Sequence, residues 1–538
     1  MKKQITILTL IFATLFANTQ NIIAPAIIDN NTTWNADTVF LNSDVDIING
    51  KTLTIEPGVV IIANAWYGIK CQGQILAEGT EQDSILFTIA DTTGFSNTDT
   101  TLGGWKGINF VNTPSTNDSS IFNYCIMNYG KGGGLSEKTK YGGLFYILSF
   151  NKLRISNSIL SMNYAERGGA IYTSNSTTII EKNIIKNNLA IDAGALYIKG
   201  YSKSLIYKNI FISNHAIAKY DFGDGYIVDQ KISCIIIYKP VMDANISPVK
   251  IISNEFYNHA SFNGVVYDNA HNSVIINNLF CNNKDRILMC AVSISKSKYL
   301  NNIFVNNDIK QISTISLFTS TIFANNIIIR NLNGGLEDKQ LIYCESNVLL
   351  ENYSSIQYNY IQYGDIYNIE GHDNIMGNSP QFVFPSNSMG YVNNWQDYDW
   401  SLQPTSPCIN AGRIDTTGLD LPEEDAFGNP RIFGGRIDIG AYENQTEVWN
   451  NIFSLDENMQ ITYYPNPVQN NLNIKIKSKE LRNKNLEIYD INGKLLKTIE
   501  IASSQTPRND VIIINVSDLE TGVYYLRVEG LSKEFIKL

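Results

Sequence analysis

The sequence predicts an all-β protein: a right-handed parallel β-helix followed by a small C-terminal antiparallel β-sandwich. Three observations predict it. Asparagines recur on a fixed period, with Asn157, Asn183 and Asn209 spaced by 26 residues and Asn254, Asn278, Asn302 and Asn326 by 24. A second signal keeps phase with them, in Gly169-Ala170-Ile171-Tyr172, Gly194-Ala195-Leu196-Tyr197 and Gly264-Val265-Val266-Tyr267. The composition agrees. Aromatic residues make up 11% of the 538 residues and charged residues 17%, below the roughly 25% of ordinary soluble domains. The polar share lies in Asn, Ser and Thr, which form turns and strands more readily than helices.

The chain exceeds the size of one compact core, so an elongated repeat or several domains are expected. The net charge of −10 argues against a nucleic-acid partner, since phosphate binding needs a concentrated cationic face. Residues 1–19 read as an export signal, with Lys2 and Lys3, an apolar core from Ile5 to Phe16, and Ala17 as a cleavage position. That core is too short to span a bilayer, and no other run reaches about 18 apolar residues. The mature chain is therefore expected to be exported, without a membrane span.

Residues 20–370 are assigned to the β-helix. Each unit of 24–26 residues carries two or three short strands between Asn and Gly turns and cannot bury its own apolar face. Stacked coils can, at about 4.8 Å per coil, with like residues aligned at the corners and Asn amides donating from one coil to the next. A second Asn closes many apolar runs, as in Asn183…Asn187, Asn278…Asn282 and Asn302…Asn306. Leucine-rich repeats and propellers need other spacings. The 45 residues from Asn209 to Asn254 suggest a hidden coil with an insertion, and the repeat fades after Asn359. Lys51-Thr52-Leu53-Thr54-Ile55-Glu56-Pro57-Gly58 and Gly104-Trp105-Lys106-Gly107-Ile108 resemble the first coils of secreted bacterial parallel β-helix proteins. The Glu56-Pro57-Gly58 turn and Trp105 are expected to close the open N-terminal edge.

Residues 371–444 have another texture, with Ser406-Pro407-Cys408-Ile409-Asn410-Ala411-Gly412, Asp425-Ala426-Phe427-Gly428-Asn429-Pro430-Arg431 and Asp438-Ile439-Gly440-Ala441-Tyr442-Glu443. They resemble the choice-of-anchor segment that follows many bacterial β-helices. Their Asp, Arg and Glu read as ion pairs of a cap closing the last coil rather than as catalysts. A linker at 445–458 leads to a domain at 459–538. There Pro465, Asn466 and Pro467, then Asp490, Gly493 and Lys494, then Gly522 and Tyr524, fall among short alternating strands. These motifs resemble the type A C-terminal sorting domain of the type IX secretion system of Bacteroidota. The resemblance implies the type IX machinery as partner and a secreted or outer-surface destination, anchored or released.

Chemistry has one candidate location. Arg167 and Asp192, 25 residues apart, should stack at adjacent levels of one loop, beside Glu166. The next loop carries His215, Lys219, Asp221 and Asp224. Arg167, Asp192, His215 and Lys219 are the candidate catalytic groups for a lyase, which needs a base and a cation for the uronate. Glu166, Asp192, Asp221 and Asp224 are the candidate ligands for Ca²⁺; no cofactor is otherwise called for. The competing reading is a solvated loop edge with an ordinary surface pair. Tyr172, Tyr197 and Tyr267 form either an outward sugar-stacking strip or part of the core. Seven scattered cysteines, without a CxxC pair, and four histidines offer no zinc pattern; isolated buried thiols are expected, with one or two bridges as the alternative. The functional expectation is an adhesin-like protein binding polysaccharide or another surface along its long face, with a polysaccharide lyase or glycoside hydrolase acting on acidic glycans as the alternative.

Overall fold

A computed structural model describes residues 20–134, 137–221, 227–230, 234–238, 248–261, 264–270, 272–285, 289–291, 297–309, 313–317, 321–331, 340–344, 355–361, 365–367, 373–377, 379–388, 390–446, 460–477, 484–490, 494–501, 511–528 and 531–538. The export signal at 1–19 and nearly all of the linker therefore lie outside the described residues. The chain divides into two units, Met1–Thr446 and Glu447–Leu538.

The first unit is a parallel β-helix. Among the described residues its three sheets hold fourteen, thirteen and twelve strands, each coil giving one strand to each sheet. One turn runs through Ile159–Ser161, Ile171–Ser174 and Thr178–Glu181 and returns to the first sheet at Ile184–Lys186, which pairs in parallel with Ile159–Ser161. Strands of three to five residues suffice because every backbone group finds its partner in the next coil rather than in the same one. Inward residues form one apolar core from Ala24 to Ile361. Within it Phe211, Phe256, Phe280 and Phe304 stack at 4.9, 4.7 and 4.8 Å, the spacing of neighbouring strands.

Two asparagine ladders run along the corners flanking the first sheet. In one, Asn183, Asn209, Asn254, Asn278, Asn302, Asn326, Asn359 and Asn374 each pass a side-chain amide hydrogen bond of 3.0–3.1 Å to the next. In the other the series is Asn163, Asn188, Asn214, His259, Asn283, Asn307 and Asn331. His259 stands in for an asparagine there. Burial pushes its pKa down to about 3, so the ring is neutral: Nδ1 accepts the Asn214 N–H, and we assign the proton to Nε2, facing the Phe211 carbonyl. The expected second residues Asn187, Asn282 and Asn306 are not ladder members. They sit one position earlier, in the left-handed region at φ 54°, 57° and 56°, and their successors point inward. Asn157 is likewise a corner residue at φ 48°, and Ser158 meets Asn183 in its place.

Three other expectations are corrected. Asn209 bonds directly to Asn254, so the long gap hides no extra coil. It is one coil enlarged by an insertion that includes the antiparallel pair Ala218–Asp221 and Ile227–Gln230. The Glu56-Pro57-Gly58 turn and Trp105 do not close the N-terminal edge, because coils begin earlier, at Asn21–Ile23, Ile27–Ile28 and Thr32–Trp34. Glu56 N–H bonds to the Trp34 carbonyl as an ordinary corner, and Trp105 is buried in the core 6.2 Å from Phe87. The coils also continue past residue 370, to Ile375–Met376.

The segment expected to plug the last coil runs instead along the outer flank of the first sheet. At one corner the side chains of Asn258, Asn282, Asn306 and Arg330 donate to carbonyls of Val392, Ser388 and Gly390, Ser386, and Ser386 and Asn387. At the other, Asn277 and Asn301 donate to Glu424, Asp438 and Gly440 carbonyls, and Asn325 accepts from the Arg413 N–H. The reason is local: a left-handed corner turns its side chain outward, and an outward amide needs a partner other than the ladder. Leu279, Ile303 and Ile327 on the same outer face are buried. The corresponding residues of earlier coils, Ile126, Ile159, Ile184 and Ile210, remain half exposed.

Two buried charges fall outside every pattern read from the sequence. Lys131 inserts its ammonium among the carbonyls of Gly94, Asn97 and Leu102 at 2.7–3.1 Å, fixing that loop. Asp268 is buried inside the coil, accepting from Tyr299, Ser273 and Ser297 hydroxyls at 2.6, 2.9 and 3.2 Å. Burial outweighs these bonds and pushes its pKa up from 3.8 to about 6. Between those values the folded chain keeps a proton that the unfolded chain releases, so stability falls as pH rises from about 4 to about 6, by about 3 kcal/mol. Urea unfolding across that range should show the loss, and Asp268→Asn should remove this share of the pH dependence.

The second unit, taken by itself, is antiparallel, with sheets of three and four strands among the described residues. Val468, Leu472, Ile474, Leu486, Ile488, Leu526 and Phe535 form its core.

Candidate functional site

The strand Tyr164–Arg167 pairs in parallel with Leu189–Asp192, and Arg167 faces Asp192 in register, as the 25-residue spacing predicts. Arg167 Nε donates to Asp192 Oδ2 at 3.3 Å. The guanidinium also lies 5.2 Å from the ring centre of Tyr141 and 5.5 Å from that of Tyr197, so cation–π contacts hold its plane. Its Nη groups make no hydrogen bond among the described residues, and the side chain is 35% exposed. Burial raises the Asp192 carboxyl pKa despite the arginine.

The other candidates do not converge on this pair. Glu166 turns to Lys140, at 2.8 Å on the surface. His215 is half-buried and pairs in register with Leu189, three residues short of Asp192. Lys219 and Asp221 belong to the inserted antiparallel pair, but their side chains, like the whole of Asp224, lie outside the described residues. His271 and His372 lie outside them as well. Among the described residues no group of three His, Cys, Asp or Glu could hold a metal ion.

The tyrosine question resolves into a third arrangement. Tyr172 and Tyr197 point out of the coil, stacked 5.5 Å apart with Tyr146 behind them, yet they are only 3% and 6% exposed. They pack with Tyr141 and Ala193 in a second apolar cluster outside the main core. They are therefore no stacking strip for sugars; only Tyr267, further along, stays half-buried. Burial pushes the Tyr197 phenol up to about 12 and Tyr172 further still. Both stay protonated near neutral pH. Cys71, Cys125, Cys234, Cys281 and Cys408 are free and buried; Cys71 is pushed up to about 12 by burial, which makes it an inert core thiol.

In the second unit the motif residues build turns and packing. Asn466 accepts the Ile536 N–H, and Asp490 accepts the Lys494 N–H across a turn whose Gly493 lies outside the described residues. Pro465 and Pro467 are exposed on the stretch leading to buried Val468. Gly522 starts the strand Gly522–Val528, and Tyr524 stacks 5.7 Å from Phe535 and donates to the Glu520 carbonyl. Residues 462–537 match the model of the secretion system C-terminal sorting domain. The protein is secreted to the outer cell surface by type IX secretion. No curated protein matches the chain. Among solved structures, a PL6 family polysaccharide lyase from Pseudopedobacter saltans is similar at 9% identity and a TM-score of 0.24, over 67% of this chain and 96% of that one.

Proposed function

We propose that this secreted β-helix is a surface-displayed binding protein for acidic polysaccharide. The observation that supports the reading is the Arg167 guanidinium: held by two tyrosine rings and by Asp192 through Nε, it is 35% exposed and keeps an Nη fork with no hydrogen bond among the described residues. A planar fork suits a uronate carboxylate, which it can bind through two parallel hydrogen bonds. The protonated phenols beside it favour binding over proton abstraction. Attachment to the outer surface puts such a site where extracellular glycans are.

The test is binding of immobilised uronate polymers. Arg167→Ala should weaken it by about tenfold to a hundredfold, and Arg167→Lys should also weaken it, because an ammonium keeps the charge and loses the fork. Unchanged binding by both variants would sink the proposal. Unsaturated product appearing in the same incubations, and lost with Arg167→Ala, would replace it with the lyase alternative.

A further inference from the structure

The chain is acidic as a whole, yet its cations gather in the middle coils. Residues 150–208 hold eight Lys and Arg against three Asp and Glu, in a chain of net charge −10. Glu166 and Asp192 are paired on the Arg167 flank, and the third acid, Glu181, pairs with Arg154. Lys152, Arg154, Lys182, Lys203 and Lys208 lie on the third sheet or at its two corners. There the strands Leu153–Ser156, Thr178–Glu181, Leu205–Tyr207 and Lys250–Ile252 stack in parallel. One outward column reads Arg154, Ile179, Leu205 and Lys250 in register. Lys182 and Lys208 share the next corner on adjacent coils, since the Lys182 N–H bonds to the Tyr207 carbonyl and the Lys208 N–H to that of Ile252.

Arg154, Lys182, Lys203 and Lys250 are exposed. The three lysines form no ion pair among the described residues, whereas Lys208 meets Glu424 at 3.4 Å. Stacking like charges one coil apart, at about 4.8 Å, is unfavourable, and an anionic partner removes that cost. We infer that this flank binds polyanionic glycan by charge rather than by shape. Lysine presents a compact ammonium on a flexible stem, which attracts sulfate or carboxylate without the fixed orientation that a guanidinium fork demands. Half-exposed Ile179, Leu205 and Tyr207 lie between the cations and suit the C–H faces of sugar rings. The coils repeat the ammonium groups along the rod, as a polymer repeats its anions. The choice of a glycan rests on the reading above; the demand for an anion does not.

The experiment measures binding of the full chain to immobilised dextran sulfate and dextran. Dextran sulfate should bind, and dextran, the same polymer without its anions, should not. The affinity should fall at least tenfold between about 50 and about 200 mM salt, because binding releases counterions. The triple variant Lys182→Glu, Lys203→Glu and Lys250→Glu should weaken binding at least tenfold at an unchanged melting temperature and flatten the salt dependence. Charge reversal on other flanks, with Lys70→Glu and Lys284→Glu, should cost less than about threefold. Arg167→Ala should keep the salt dependence, so that failure of the fork and failure of this flank are told apart. Normal binding by the folded triple variant, insensitivity to salt, or equal binding of both polymers would each overturn the inference. A dimer at low salt that the triple variant abolishes while dextran sulfate still binds would assign the flank to a second copy instead. If the triple variant fails to fold, the neutral set Lys182→Gln, Lys203→Gln and Lys250→Gln decides.

Discussion

Replacing Asn302 with alanine is expected to cost about 4 kcal/mol of stability. Its side chain donates to the Ile275 carbonyl and to Asn326 Oδ1 and accepts both the backbone and the side-chain N–H of Asn278. Alanine leaves the Asn278 N–H buried and unmatched, and removing one partner from such a pair costs more than the bond itself contributed. The effect should grade along the ladder. Asn374, half exposed at its end, should lose about 1 kcal/mol when truncated, and exposed Lys182 almost nothing. Urea unfolding of the three variants checks the order; equal losses for Asn302 and Asn374 would contradict it.

Arg431→Met should destabilise the C-terminal segment of the first unit by about 3–5 kcal/mol. Arg431 is 2% exposed. Its guanidinium donates to the Ala441, Asp438 and Gly440 carbonyls and pairs with Glu443 at 3.3 Å. Glu443 in turn accepts the Phe433 and Asp438 N–H groups, and Asp425 accepts those of Phe427, Gly428, Asn429 and Glu443. Methionine fills the space and strands the Glu443 charge. The losses should appear first as protease cleavage within 405–443 while the coils resist. Cleavage unchanged from wild type would show that the ion pair does not hold the segment.

The periodic features were legible in the sequence, because the constraint producing them repeats with every coil. Asn183, Asn209, Asn254 and Asn278 recur since each must meet the next amide, and the stacked strands follow. What covers the coil was not legible. The outward positions of Tyr172 and Ile303 differ little from those of exposed neighbours, and their burial depends on Tyr141, Ala193 or Gly440 arriving from elsewhere. One signal was available. Asn277-Asn278, Asn282-Asn283, Asn301-Asn302 and Asn306-Asn307 are doublets, and the first of each pair holds the returning chain; earlier coils carry Lys182, Lys208 or Met162 there, with Asn157 and the doublet Asn187-Asn188 as exceptions. The Arg167–Asp192 pair was legible from register alone, whereas the Asn209–Asn254 spacing misled because an insertion mimics an added coil. Lys131 and Asp268 carry no periodic signature at all.

The lacing between residues 382 and 443 also governs how the rod carries mechanical load. The sorting domain follows this stretch in the chain, so a pull from that end reaches the solenoid through the laced segment. Side-chain links from Asn258 to Arg330, and from Asn277 to Asn325, lie in parallel along several coils. A pull along the stack of coils would load these links together, where a tail joined only to the final coil would peel one bond at a time.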